Sequence, residues 1–342
     1  MSFQYIREMP DVRKILDTIP VPEALKKVKE IRDKEIMSVF KRESEKFLVI
    51  IGPCSADNED SVCEYVSKLS KLQDEVKEKL ILIPRIYTNK PRTTGEGYKG
   101  MAHQPKPSEA PNMVKGLKAI RKMHIRALKE SHLSAADEML YPGNYPYLAD
   151  LLSYVAIGAR SVENQLHRLT VSGLDIPVGM KNPTGGDLEV MLNSVQAAQM
   201  PHVFVYNGWE VKTSGNSLTH CIVRGAVDQY GTNFPNFHYE DLRRLAEAYK
   251  KRNLSNPAIV VDTNHANSNK KFAEQPRIAK EVMRSRQNSK TLRNKVKGLM
   301  IESYLIEGTQ KISENVYGKS ITDPCLGWED SEKLVKDLAE YV

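Results

Sequence analysis

The chain has 342 residues, ample for one large domain or two small ones. Apolar residues make up 40% and charged residues 27%, the balance of an ordinary globular protein. The formal charge of +7 arises from 50 Lys and Arg against 43 Asp and Glu; the two signs are interleaved, with no basic tail, helix-turn-helix, RRM or zinc-finger pattern, which argues against a nucleic-acid partner.

Residues 1–46 are polar, helix-prone and broken at Pro20 and Pro22. They read as an extension outside the core, suited to an oligomer or regulatory contact. The longest purely apolar stretch, near Phe47-Leu48-Val49-Ile50-Ile51, is far too short to span a bilayer. The first residues lack the basic-then-apolar pattern of a secretory signal, so the cytoplasm is the expected compartment. The cysteines, Cys54, Cys63, Cys221 and Cys325, are far apart and form no CxxC pair. A disulfide framework is not expected, and a free thiolate ligand is open to at least one of them.

From Phe47 onward, apolar runs alternate with amphipathic segments. Eight runs stand out: Phe47–Gly52, Leu80–Tyr87, Ala135–Leu140, Val155–Arg160, Ile176–Lys181, His220–Gly225, Ala258–Asp262 and Val296–Glu302. Between them lie helical periodicities. Val62, Tyr65, Val66, Leu69, Leu72 and Val76 share one face, and Leu334, Val335, Leu338 and Ala339 share another behind a cap at Asp330 or Ser331. Alternating strand and helix units over residues 47–342 predict a (β/α)8 barrel, with a doubly wound sheet as the competing arrangement. An extra pair, His202–Tyr206 and Trp209–Thr213, flanks Asn207-Gly208 after a helix at Leu188–Ala198. That dipeptide predicts a β-hairpin inserted before the sixth strand.

Catalytic residues of such barrels stand at the C-terminal ends of the strands. Here those ends carry Cys54, Arg85, Glu138, Arg160, Lys181, Arg224, His265 and Glu302, and Asp323 follows in the next loop. Arg85, Lys90 and Arg92 place three cations within eight residues. With Arg160, Lys181 and Arg224 they make six cations at one mouth, which repel one another unless anions lie between them. A carboxylate- and phosphate-bearing substrate meets that demand, and a second phosphorylated substrate accounts for the surplus near Arg92. Taken singly, Cys54 reads as a small core residue, His265 as a loop histidine, Glu302 as an ion-pair partner and Asp323 as a helix cap. On one rim together, they form a mixed soft and hard donor set suited to divalent Mn, Fe, Co or Zn.

Five motifs then resemble a known family: Ile51-Gly52-Pro53-Cys54-Ser55, Lys90-Pro91-Arg92-Thr93-Thr94, Gly158-Ala159-Arg160, His265-Ala266-Asn267-Ser268 and Gly318-Lys319-Ser320-Ile321-Thr322-Asp323. In order and in register from about residue 47 to 342, they resemble class I 3-deoxy-D-arabino-heptulosonate 7-phosphate (DAHP) synthase, most of all its feedback-regulated bacterial and yeast branch. The resemblance implies a metal-dependent condensation of phosphoenolpyruvate with erythrose 4-phosphate, the first step of the shikimate pathway. It implies Cys54, His265, Glu302 and Asp323 as metal ligands. It implies Arg85, Lys90, Arg160, Lys181 and Arg224 around phosphoenolpyruvate, and Arg92 with Thr93 on the phosphate of erythrose 4-phosphate. Lys90 is expected to protonate the new alkoxide and Glu138 to position the water. A homodimer or homotetramer and an aromatic amino-acid effector are also implied, the choice among Phe, Tyr and Trp being open.

The chain departs from the family pattern at Thr263-Asn264, where an aromatic or Cys and then Ser or Thr are common, and at Tyr304, where many relatives have His. Tyr145-Pro146, Asp175 and Tyr206 differ from the phenylalanine-sensitive pattern. Three rivals remain. The sister 3-deoxy-D-manno-octulosonate 8-phosphate synthase typically has Lys-Ala-Asn-Arg-Ser in place of Lys90-Pro91-Arg92-Thr93-Thr94. A non-catalytic ligand-binding barrel would lack a ligand or cation that is present here. A Schiff-base aldolase using Lys181 fits the surrounding cations less well than an anion site does.

Overall fold

The computed structural model describes residues 2–342. Eight parallel strands form a nearly closed barrel: β1 (Phe47–Gly52), β2 (Leu80–Pro84), β3 (Ala135–Glu138), β4 (Leu152–Ile157), β5 (Val178–Lys181), β6 (Thr219–Val223), β7 (Ile259–Asp262) and β8 (Val296–Glu302). β1 pairs with β8, and the seam between β2 and β3 closes through a bridge at Arg85 and Ala136. Every residue of these strands is buried, as expected of a parallel sheet covered by helices outside and packed side chains inside. The eight apolar runs all hold strands. The fourth strand, however, begins at Leu152 rather than Val155.

In chain order the helices are α1 (Val12–Thr18), α2 (Glu23–Lys41), α3 (Glu59–Val76), α4 (Met113–Ser131), α5 (Gln165–Val171), α6 (Leu188–Ala198), α7 (Tyr239–Arg252), α8 (Gln275–Gln287), α9 (Lys290–Lys295) and α10 (Trp328–Ala339). None of the described helices is long and apolar enough to cross a membrane. The face read from Val62 to Val76 in α3 is buried throughout. The cap of α10 is Gly327, with no side-chain hydrogen bond; Ser331 instead donates to the Gly327 carbonyl.

The hairpin stands where its turn chemistry put it. Val203–Tyr206 and Trp209–Lys212 pair antiparallel, with Asn207 at φ 49° and Gly208 at φ 81° between them. Both turn residues need the left-handed region that Asn and Gly tolerate best.

The N-terminal segment is not wholly outside the core. Ile36, Val39 and Phe40 of α2 join the side chains that fill the barrel interior, among them Leu48, Ile50, Ile81, Tyr154 and Ile222. α2 thus plugs the N-terminal end of the barrel, opposite the chemistry. Polar contacts fasten it there: Arg32 donates to the Leu82 carbonyl at 2.8 Å, and Ser153 of β4 donates to Asp33.

Candidate active site

The C-terminal strand ends meet at one small cavity, about 30 Å³, walled by Cys54, Arg85, Lys90, Glu138, Arg160, Lys181, Arg224 and His265 among others. Close backbone approach shapes it. A Cβ on Gly52 would lie 2.3 Å from the Arg85 carbonyl oxygen, so only glycine lets β1 and β2 approach at this end. At Gly158 a Cβ would lie 2.4 Å from Glu138 Oε1, so this glycine makes room for the Glu138 carboxyl group.

Two buried ion pairs anchor the cations. Arg85 Nη2 lies 2.9 Å from Glu302 Oε1, with side chains 2% and 1% exposed. The Arg85 guanidinium also stacks over the Tyr87 ring at 3.9 Å. Lys181 Nζ is 3.0 Å from Asp262 Oδ2, and His265 Nδ1 is 2.9 Å from the same oxygen. Burial pushes the Asp262 carboxyl up, but His265 and Lys181 outweigh it and hold it well below the usual carboxylate range. His265 reaches this position from a left-handed backbone, φ 53°.

Arg224 is different. Its Nη1 is buried without a hydrogen-bond partner. Burial lowers its pKa, partly offset by Asp262, while Arg160 adds repulsion. An under-paired guanidinium beside another arginine has the charge and free donors to hold an anion. Arg160 Nε donates to Thr93 Oγ1 at 2.7 Å, bringing Thr93 to the rim. Arg92 points elsewhere, donating from Nε to the Tyr98 carbonyl at 2.8 Å.

A second constellation adjoins the first. Cys54, Glu302 and Asp323 each bring one donor atom within 4.8 Å of the others. His265 stands beside this triad, with Nε2 3.9 Å from Glu302 Oε1. Lys90 Nζ reaches into it, 2.8 Å from Cys54 Sγ and 2.8 Å from Asp323 Oδ2. Glu302 Oε1 is buried yet accepts no hydrogen bond, because its neighbour Arg85 is close but off-axis. Burial, with Glu302 adding, pushes the Cys54 thiol up to about 11, against the pull of Lys90. One thiol, two carboxylates, an adjacent imidazole and an orphaned carboxylate oxygen fit a divalent cation, whose binding would expel the thiol proton.

Sequence reasoning gave no role to several residues that hold this site together. Asp262 pairs with both Lys181 and His265. Lys270 reaches Asp323 at 3.1 Å. Asp137 accepts from the Thr88 N–H at 2.8 Å and the Glu138 N–H at 2.7 Å, fixing the start of the Lys90 loop. Asp262 and Asp137 are acids within or beside apolar runs, and that was the available signal.

Tyr304 supports α3 rather than the cavity. Its hydroxyl lies 2.6 Å from Ser61 Oγ and donates to Asp57 Oδ1 at 3.2 Å. Burial raises the Asp57 carboxyl to about 6, with the Tyr304 hydrogen bond pulling it down. The folded state therefore holds this proton more tightly than the unfolded chain. That stabilisation is full below about pH 4 and lost as pH rises to about 6. Between those values wild type is expected to lose about 2–3 kcal/mol relative to Asp57→Asn. Urea unfolding of both proteins from pH 4 to 7 checks this; a constant difference between them would refute it.

A separate cavity of about 760 Å³ lies between the hairpin, α5 and the 142–149 segment, lined by Tyr145, Leu174, Asp175, Phe204, Tyr206 and Lys212 among others.

Residues 25–336 match the family described as the DAHP synthetase I family. The chain is 36% identical over 351 residues to the Phe-sensitive phospho-2-dehydro-3-deoxyheptonate aldolase of Escherichia coli (strain K12), covering 100% of this chain and 97% of that protein. It is 36% identical over 317 residues to the Trp-sensitive enzyme of the same strain, covering 90% and 88%. A solved structure of phospho-2-dehydro-3-deoxyheptonate aldolase from Francisella tularensis SCHU S4 matches with a TM-score of 0.92 at 30% identity, covering 100% of this chain and 98% of that one. Barrel, site and full-length similarity agree, and the chain belongs to the DAHP synthetase I family.

Proposed function

We propose that this enzyme condenses phosphoenolpyruvate with erythrose 4-phosphate and water, giving DAHP and phosphate. The observation that carries the reading is the cluster of cations lining one cavity, Arg85, Lys181 and Arg224 buried among them and Arg224 Nη1 unpaired, beside the Cys54, Glu302 and Asp323 donors. Arg85, Lys90, Arg160, Lys181 and Arg224 hold the carboxylate and phosphate of phosphoenolpyruvate. Thr93 and Arg92 take the phosphate of erythrose 4-phosphate, Arg92 turning from the Tyr98 carbonyl to do so.

A divalent cation (Mn, Fe, Co or Zn) held by Cys54, His265, Glu302 and Asp323 would supply Lewis-acid polarisation of the aldehyde. The chain's own groups do the rest. The cationic ring fixes C3 of phosphoenolpyruvate against the aldehyde carbon, so that the C–C bond forms within a preassembled pair. Lys90 gives its proton to the alkoxide that develops. Glu138 orients a water that adds to C2, where positive charge appears; the C2–O bond to phosphate then breaks as the new C2 hydroxyl becomes the ketone, the phosphate taking one water proton and Lys90 regaining the other.

Regulation fits the larger cavity. Its aromatic walls Tyr145, Phe204 and Tyr206 suit an aromatic side chain, and Asp175 with Lys212 offer a partner to each charge of a free amino acid. The exposed Phe3, Tyr5 and Ile6 suit an oligomer contact in a homodimer or homotetramer. The cytoplasm is the proposed compartment.

The test is phosphate release from phosphoenolpyruvate with erythrose 4-phosphate, against arabinose 5-phosphate, with Mn²⁺ and with chelator. Turnover is expected only with erythrose 4-phosphate and metal. No turnover under those conditions would refute the proposal, and turnover with arabinose 5-phosphate alone would redirect it to the sister reaction.

A further inference from the structure

The two oxygens of the Glu302 carboxylate have different surroundings. Oε2 accepts a hydrogen bond from Asn264 Nδ2 at 2.5 Å. Oε1 accepts none, although it is buried with Arg85 and His265 nearby. Asn264 is itself held rigidly and is 1% exposed. Its N–H donates to Asp262 Oδ1 at 3.0 Å, and its Oδ1 accepts from Ser268 Oγ at 2.6 Å. The Glu302 carboxylate and the Pro324 carbonyl can only accept, so Nδ2 must face them and Oδ1 is left to accept from Ser268. The same Nδ2 also donates toward the Pro324 carbonyl at 3.4 Å, next to Asp323. One side chain thus links the end of β7, the end of β8 and the loop that carries Asp323.

We propose that Asn264 is a positioning residue for the cation site: it engages Glu302 Oε2 and so presents Oε1 alone to the metal. This rests on the proposed metal-dependent reaction and deepens it. The amide is suited to the task because its nitrogen carries two hydrogens, one for the carboxylate and one for the Pro324 carbonyl. An aspartate here would set a second negative charge against Glu302, and an alanine would free the carboxylate to rotate and bind through both oxygens. Groups that orient metal ligands in this way commonly account for about 10–100-fold in metal affinity.

The test uses the full-length metal-free protein and two probes, Mn²⁺ by calorimetric titration and Co²⁺ by visible absorption. Asn264→Ala is expected to bind Mn²⁺ about 10–100-fold more weakly than wild type and to change the Co²⁺ band pattern, because a second carboxylate oxygen alters the coordination number. Loss of stability alone would move the melting temperature and leave the spectrum of the bound fraction unchanged; that result would overturn the proposal. So would Mn²⁺ affinity within about twofold of wild type. Should Asn264→Ala not fold, Ser268→Ala decides. It leaves Glu302 untouched but frees the Asn264 amide, so at least about threefold weaker Mn²⁺ binding is expected, and unchanged binding overturns the proposal. Wild-type protein that binds no divalent ion would instead refute the metal-dependent reading on which this one stands.

Discussion

Replacing Lys90 with Met is expected to lower kcat by at least about 10³-fold while leaving the barrel folded, because it removes the proposed proton donor and its charge from beside Cys54 and Asp323. The side chain spans from the loop after β2 to within 2.8 Å of both Cys54 Sγ and Asp323 Oδ2. Burial alone would pull its ammonium down, but Cys54, Asp323 and Glu302 outweigh that and hold it above the ordinary lysine value. The protonated form is therefore the one present at neutral pH, as the proposed acid role requires. Methionine keeps the length and loses the charge. Folding should survive, since Asp323 retains Lys270 at 3.1 Å. Removing a cation from beside Cys54 and Asp323 should also leave Mn²⁺ affinity unchanged or tighter. Phosphate release and Mn²⁺ titration on the same preparation separate the two effects. Near-wild-type turnover would exclude Lys90 as the acid; lost turnover together with lost metal binding would make its role structural.

Legibility in the sequence followed how local each feature is. The strands were readable because a parallel sheet buried on both faces demands continuous apolar runs. The start of β4 was not, because Ser153 and Tyr154 interrupt the run. Their partners, Asp33 and His220, come from distant elements, so only the assembled fold explains them. For the same reason α2 looked like an outlying charged helix. Its buried stripe of Ile36, Val39 and Phe40 finds a core only at the open end of a barrel.

At the site, cations and metal-type donors at strand ends were readable, since position on a strand end fixes direction. Arg92 was not fully readable. Its present direction toward the Tyr98 carbonyl depends on a loop bearing Gly95, Gly97 and Gly100, each at positive φ. Asn264 was visible only as a departure. Its partner is one particular oxygen of Glu302, which no spacing in the chain reveals.

Glu302→Gln is the other large effect, and it separates two roles of one carboxylate. Glu302 ends β8, 1% exposed, paired at 2.9 Å with an Arg85 that is itself 2% exposed. Burial pushes its carboxyl up, but Arg85, His265 and Lys90 outweigh burial and hold it below the usual range. The pair's contribution is thus present above the ordinary carboxylate pKa and lost as pH falls through the depressed folded value. Glutamine leaves Arg85 buried with no anion, so the metal-free protein is expected to lose about 3–5 kcal/mol at pH 7, with less difference from wild type in acid. It also removes a charged donor from the Cys54, Glu302 and Asp323 cluster, so Mn²⁺ affinity should fall by more than about 10²-fold, beyond the usual cost of losing a residue that merely supports a ligand. The double variant Arg85→Met with Glu302→Leu distinguishes the roles. Replacing both members of a buried ion pair by apolar side chains is often neutral or stabilising, so denaturant unfolding should show stability recovered. Mn²⁺ binding and turnover should not return with it. Recovery of all three would mean that Glu302 serves the fold through Arg85 and is not a ligand; recovery of stability alone is what a cation-binding carboxylate at the end of β8 requires.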